Sequence, residues 1–220
     1  FKRSIYAVKA YRYVVDIPDE IDQAVIVYPG NVCHKAVQQC GDKGVKSIIM
    51  ISAGFREVGP EGAEREAKVK ELCDQYDIKL IGPNCLGVIN TDPTSMLNAS
   101  FARKMPEEGR IAFLSQSGAL CTAVLDYALE KGIGFSKFVS FGNKAGVTDI
   151  DLMRYLHKDP KTDVILVYLE ELRDGRGLVE AAREITRGPG AKPILLIKSG
   201  RTTQGADAAA SHTGSLAGED

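Results

Sequence analysis

The chain has 220 residues, 44% of them apolar, with 28 basic residues against 29 acidic ones. That is enough apolar material for one large core or two small ones. The near-balance of charge, with no block of one sign, points away from nucleic acid and anionic membranes and toward small molecules or protein as partners. The longest apolar runs are strand-sized, short of the roughly 18 residues a membrane helix needs, and no signal peptide opens the chain. The five cysteines are odd in number and lack C-x-x-C spacing, which fits neither a disulfide frame nor a zinc site and indicates a reducing cytosol. A first residue of Phe1 and a tail that stops in mid-pattern indicate a piece of a longer polypeptide.

After a polar opening, Gln23 to Tyr28 is a short β-branched run bounded by Asp22 and Pro29-Gly30, which predicts a buried parallel strand. Asn31 can cap a helix running through Val32, Ala36, Val37 and Cys40 to Gly41-Asp42. A second strand over Ser47 to Ile51 empties into the small-residue turn Ser52-Ala53-Gly54-Phe55. Pro60 and Glu61 open a helix whose apolar positions Val69, Leu72, Cys73 and Tyr76 share one face of a 3.6-residue period. A third strand, Lys79 to Ile81, leads into the turn Gly82 to Gly87. Strands alternating with helices through short turns predict a doubly wound α/β sheet.

Ligands of such sheets sit outside the carboxyl ends of the strands. Glycine and serine in the turns there expose backbone amides, which suits a phosphorylated ligand, although ordinary turn chemistry uses the same residues. No G-x-G-x-x-G and no G-x-x-x-x-G-K-[ST] occurs. Cys85 has no histidine near it in sequence, so a buried, unreactive thiol is the better reading.

Thr91 to Gly109 carries no sustained period and is long for a connection inside one compact domain, which places a boundary there. The rhythm restarts with a strand at Arg110 to Leu114, ending in Ser115-Gln116-Ser117-Gly118, and a helix with Leu120, Val124 and Tyr127/Ala128 on one face. A strand at Lys137 to Phe141, a helix from about Asp149 to His157 and a strand at Val164 to Leu169 follow. A helix with Leu178, Ala181/Ala182 and Ile185 precedes a strand at Pro193 to Ile197, which makes a second sheet of four strands. Ser115 to Gly118 stands at a strand-to-helix junction, where free N–H groups and the positive end of the helix dipole can receive a phosphate. The strand Val164 to Leu169 ends in Glu170-Glu171, which places a carboxylate at the same edge of this sheet. In Ser199 to Gly218, fifteen of twenty residues are Gly, Ala, Ser or Thr, with His212 among them; the composition also fits a plain linker.

Four motifs stand in order: Ile51 to Phe55 (ISAGF), Ile81 to Asn90 (IGPNCLGVIN), Ser115 to Leu120 (SQSGAL) and Ser211 to Gly218 (SHTGSLAG). In them the chain, from about Val8 to its last residue, resembles the CoA-binding and ligase half of the ADP-forming acyl-CoA synthetases, which are similar to the α subunit of succinyl-CoA synthetase. The resemblance implies a Rossmann-like CoA-binding domain over residues 1–93, without its first strand and Gly-rich turn, a linker over 94–109, and a flavodoxin-like ligase domain over 110–220, without its end. It implies CoA as cofactor, held by Ser52, Ala53, Gly54 and Asn84, with Ser115, Ser117 and Gly118 beside the acyl and phosphate site. His212 matches the histidine that is phosphorylated and Glu170, rather than Glu171, the carboxylate that orients it. No metal is expected on this chain. ADP or ATP and Mg would sit on an ATP-grasp domain or β subunit, without which the chain does not turn over. The same resemblance implies a cytoplasmic oligomer. Its rivals are the CoA-sensing regulatory domains of a protein lysine acetyltransferase and a non-catalytic CoA-binding protein.

Overall fold

A computed structural model describes residues 4–200. The His212 loop lies outside the described residues. A short hairpin of β1 (Ser4–Ile5) and β2 (Val8–Lys9) precedes a three-stranded sheet of β3 (Gln23–Ile26), β4 (Ser47–Met50) and β5 (Lys79–Ile81), all parallel and in chain order. The crossovers α1 (Cys33–Lys43) and α2 (Pro60–Gln75) pack on each other and share one apolar core with the sheet, including Val37, Cys40, Ile48, Met50, Phe55, Val69 and Leu80. Both crossovers run in the same direction along the sheet, so among the described residues it is wound on one face only. Asn31 does not cap α1: a 3₁₀ turn over Gly30–Val32 comes first, and α1 ends later than expected, at Gly44 with φ +85°. That left-handed conformation suits glycine as a helix stop.

The second sheet holds six strands rather than four, in the order β11-β10-β8-β9-β6-β7. β8 (Glu108–Ser115), β9 (Phe135–Ser140), β10 (Val164–Leu169) and β11 (Ile194–Lys198) are parallel. β6 (Gly87–Asn90) and β7 (Leu97–Ser100) extend the sheet antiparallel, and β7 falls inside the segment read from sequence as an irregular linker. Gly87, Asn90, Asn98 and Ser100 are poor strand formers. Pairing of β6 with β9, and of β7 with β6, makes these segments strands, and a scan of local period cannot see those partners.

The chain passes from β8 to β9 on one side and then back across β8 to β10 on the other, so this sheet is doubly wound. α3 (Gly118–Lys131) packs on one face through Cys121, Leu125 and Ala128. α4 (Asp149–Lys158) and α5 (Gly175–Thr186) pack on the other through Leu152, Leu156, Leu178 and Ile185. The strand order reverses between β8 and β10, and the carboxyl ends there form the crevice where such sheets place a ligand.

Candidate functional site

Ser115 ends β8 fully buried. Its Oγ donates to the Ser117 carbonyl (2.9 Å) and accepts from the Ser117 N–H (3.1 Å), a tight turn that swings the chain from strand into helix. The Ser117 Oγ caps α3 by accepting from the Leu120 N–H. The first-turn amides of Gly118 and Ala119 are the donors that helix geometry leaves without an intrahelical acceptor. Gly118 lies against the Gly82–Gly87 turn: a Cβ there would sit 3.6 Å from the Leu86 nitrogen.

β10 runs beside β8 and ends in Glu170, which is buried at 7% exposure and is not the solvated loop residue that its position after a strand allowed. Glu171 is half-buried and engaged elsewhere: Arg56 Nη2 lies 2.7 Å from its Oε2 and Arg173 Nε 3.2 Å. One side chain joins the two strand ends. The Oε1 of Gln116, on the β8 side, accepts from the Glu170 and Glu171 N–H groups, each at 3.0 Å. The last described residues return to the same place, since the Ser199 N–H after β11 donates to the Leu169 carbonyl (2.9 Å).

The turns of the first sheet face this edge. The Asn84 N–H donates to the Ser52 carbonyl (2.9 Å), and the Asn84 side chain donates to Asn143 Oδ1 (3.3 Å) in the loop after β9. Gly142, at φ +50°, lies so close to this turn that a Cβ would meet the Pro83 carbonyl oxygen at 2.2 Å. Asn143 Nδ2 donates in turn to Glu57 (2.7 Å) and Glu66 (2.8 Å), so a single amide ties three carboxamide and carboxylate groups across the two sheets.

The Ser52–Phe55 turn differs from its expected form. The Ser52 hydroxyl faces inward to the Ile26 carbonyl (3.3 Å). The Gly54 and Phe55 amides both donate to Glu57 Oε1, at 2.6 and 3.0 Å, so an internal carboxylate already occupies the anion cradle. Ala53 is the exposed member of the turn. Burial pulls the Glu57 carboxyl upward, but the hydrogen bonds from Asn143, Phe55, its own amide and Gly54 outweigh it and hold the group below the usual range. For Glu66 burial wins, and its carboxyl sits above that range.

Sequence reasoning missed a basic and aromatic cavity of about 400 Å³ beyond the end of β3, lined among others by Lys9, Arg12, Tyr13, Tyr28 and Lys35. Its residues come from a stretch with little periodicity, where the signal was the alternation of Tyr with Lys and Arg over residues 9–13. A larger cavity, about 840 Å³, follows the later turns of α3 under residues 101–104, away from the strand ends. Cys85 is buried, and burial pushes its thiol up to about 12, so it is no nucleophile. Among the described residues no group of His, Cys, Asp and Glu could hold a metal ion.

A family model described as the CoA binding domain matches residues 2–91, and one described as the succinyl-CoA ligase like flavodoxin domain matches residues 108–220. The chain is 49% identical over 216 residues to the acetate–CoA ligase [ADP-forming] I of Archaeoglobus fulgidus, covering 98% of this chain and 31% of that protein. To the alpha subunit of acetate–CoA ligase [ADP-forming] II of Pyrococcus furiosus it is 42% identical, covering 99% of this chain and 46% of the subunit. The dinucleotide forming acetyl-coenzyme A synthetase 1 of Ca. Korarchaeum cryptofilum, solved in complex with phosphate and ADP, superposes with a TM-score of 0.89 at 41% identity, covering all of this chain and 46% of that one. The chain therefore spans from under a third to just under half of these relatives. On the match to more than half of its length, with four motifs in order and a doubly wound second sheet, the chain belongs to the succinyl-CoA ligase-like flavodoxin domain family, preceded by a CoA binding domain.

Proposed function

We propose that the chain is the CoA-binding and phosphoryl-transfer half of an ADP-forming acid–CoA ligase. The observation that carries this reading is the meeting of a buried carboxylate, Glu170, with the helix start at Ser117-Gly118, joined through Gln116 at the switch point of the second sheet. The named relatives, acetate–CoA ligases of the ADP-forming class, support it.

In the proposed sequence a phosphate oxygen attacks the thioester carbonyl of an acyl-CoA, the C–S bond breaks, and CoA leaves as the thiol with an acyl phosphate formed. A ring nitrogen of His212 then attacks phosphorus; the P–N bond forms as the P–O bond to the acyl group breaks, and the free acid leaves. The phosphoryl group passes from His212 to ADP, with Mg²⁺, on an ATP-grasp domain or β subunit. Glu170 would accept a hydrogen bond from one ring nitrogen, which selects the tautomer whose other nitrogen carries the attacking lone pair. The first-turn amides of α3 suit the phosphate, and the Lys9, Arg12 and Lys35 cavity suits the phosphates of CoA. Along the chain we assign the CoA-binding unit to residues 1–93 and the ligase unit to 110–220, with 94–109 between them, while β6 at the end of the first stretch and β7 in the second pair into the ligase unit's sheet. We place the protein in the cytoplasm as part of an oligomer. No helix among the described residues is long and apolar enough to cross a membrane.

Incubating the whole protein and its nucleotide-binding partner with ³²P-labelled ATP tests the reading. Acid-labile, base-stable label is expected, lost in His212→Ala and slower to form in Glu170→Gln, whose CoA affinity stays the same. A protein that binds CoA and takes no label is a binding module instead.

A further inference from the structure

Gln116 is 3% exposed, and its side chain is only half used. Its Oε1 accepts two backbone N–H groups, those of Glu170 and Glu171, while its Nε2 is buried with no hydrogen-bond partner among the described residues. The orientation of the amide follows from this pairing, because a flip would set the NH₂ group against two N–H donors. Buried amide hydrogens are rarely left without an acceptor, and an unpaired one carries its full desolvation cost. The backbone N–H of Gln116 is accounted for by the Tyr168 carbonyl (3.0 Å), so the residue is tied to β10 and the turn after it through both backbone and side chain.

We infer that Gln116 is a phosphate-binding residue, whose Nε2 donates to an oxygen of the phosphoryl group received at the start of α3. This rests on the reading under Proposed function and adds to it the residue that reads the phosphate. The Ser115 hydroxyl is spent within its own turn, where it donates to the Ser117 carbonyl. The Ser117 oxygen caps the helix but its hydroxyl hydrogen stays available, so the donors in that corner are the first-turn amides, the Ser117 hydroxyl and the Gln116 NH₂. Of these the Gln116 NH₂ is the one buried without a partner among the described residues.

Neutrality is the useful property of this donor. A Lys or Arg at position 116 would pair with Glu170 and hold the anion as a fixed ion pair, opposing its departure on the imidazole. A carboxamide donates without competing for the Glu170 charge. Because the same side chain also holds the Glu170 amide, it sets the distance between the bound anion and the carboxylate that orients the ring.

The test is Gln116→Glu in the whole protein with its nucleotide-binding partner. One glutamate oxygen still accepts the two amides, and the other puts an acceptor where the donor was. The KM for inorganic phosphate in the ATP-forming direction is expected to rise roughly tenfold or more, with the KM for acyl-CoA unchanged. An unchanged phosphate KM in a folded variant overturns the inference. If the variant does not fold, a crystal structure of the unmodified protein grown with inorganic phosphate decides: a phosphate oxygen within hydrogen-bond distance of Nε2 supports the inference, and water or protein on Nε2 with phosphate seated elsewhere ends it. Failure of the wider reading looks different, since the unmodified protein would then take no label at His212. Label at His212 with an unaltered phosphate KM removes Gln116 alone.

Discussion

Glu170 and Glu171 are neighbours with opposite surroundings: the first is buried beside Gln116, the second reaches Arg56 and Arg173. Successive residues at a strand end point to opposite sides, and the sheet decides which side is the crevice. The sequence therefore places a carboxylate at this edge, while the sheet decides that Glu170 is the buried one of the pair. The cysteines show the reverse case, in which spacing alone was enough. All five are free and buried, and burial pushes Cys40 up to about 11 and Cys73, Cys85 and Cys121 up to about 12. At pH 8 these four groups are neutral thiols, well below the pH at which thiolate forms. A thiol reagent at pH 8 is expected to modify them only as the protein unfolds. Rapid labelling of the native protein at Cys85 would contradict the packing.

At the scale of elements, helix starts were more legible than strand ends. α4 begins with a capping box: the Thr148 Oγ1 accepts from the Asp151 N–H (3.2 Å), and the Asp151 carboxylate accepts from the Thr148 N–H (2.9 Å). Thr148→Ala removes one of these bonds on an exposed helix end and is expected to cost about 1 kcal/mol, read as a lowered urea midpoint with an unchanged slope. An unchanged midpoint would mean that the α4 core contacts alone set the helix start. β6 and β7 were not legible, because the pairing of β6 to β9 and of β7 to β6 supplies what their composition lacks. The same pairing binds a segment that follows the first sheet into the second one.

For the whole molecule, the contact between the two sheets rests on Asn143, which donates to Glu57 and Glu66, and on Arg56, which reaches Glu171. Asn143→Ala leaves both carboxylates without that donor, so both folded-state values move upward. A carboxyl raised in the folded state contributes stability below its unfolded value of about 4.3 and loses it as pH rises through the raised value; a depressed one contributes above the unfolded value and loses it as pH falls through the depressed value. Upward movement of both thus costs more at neutral pH than in acid. The Tm deficit of Asn143→Ala is expected to be larger at pH 7 than at pH 4.5. A deficit that is flat or grows in acid would show that neither carboxylate depends on Asn143.

By itself the sequence determined what is local: apolar β-branched runs of strand length, helices with a 3.6-residue stripe, and small residues where strands end. These follow from the chain's own period and turn chemistry, which need no distant partner. Only the tertiary structure decided that the second sheet reverses between β8 and β10, that β6 and β7 join it, that Glu57 fills the Gly54 cradle, and that Gln116 bridges two strand ends. Each of the sheet facts pairs residues far apart in the chain, and the Glu57 contact depends on how a turn closes. A hydrogen bond made by such closure leaves no period behind it for a linear reading to find.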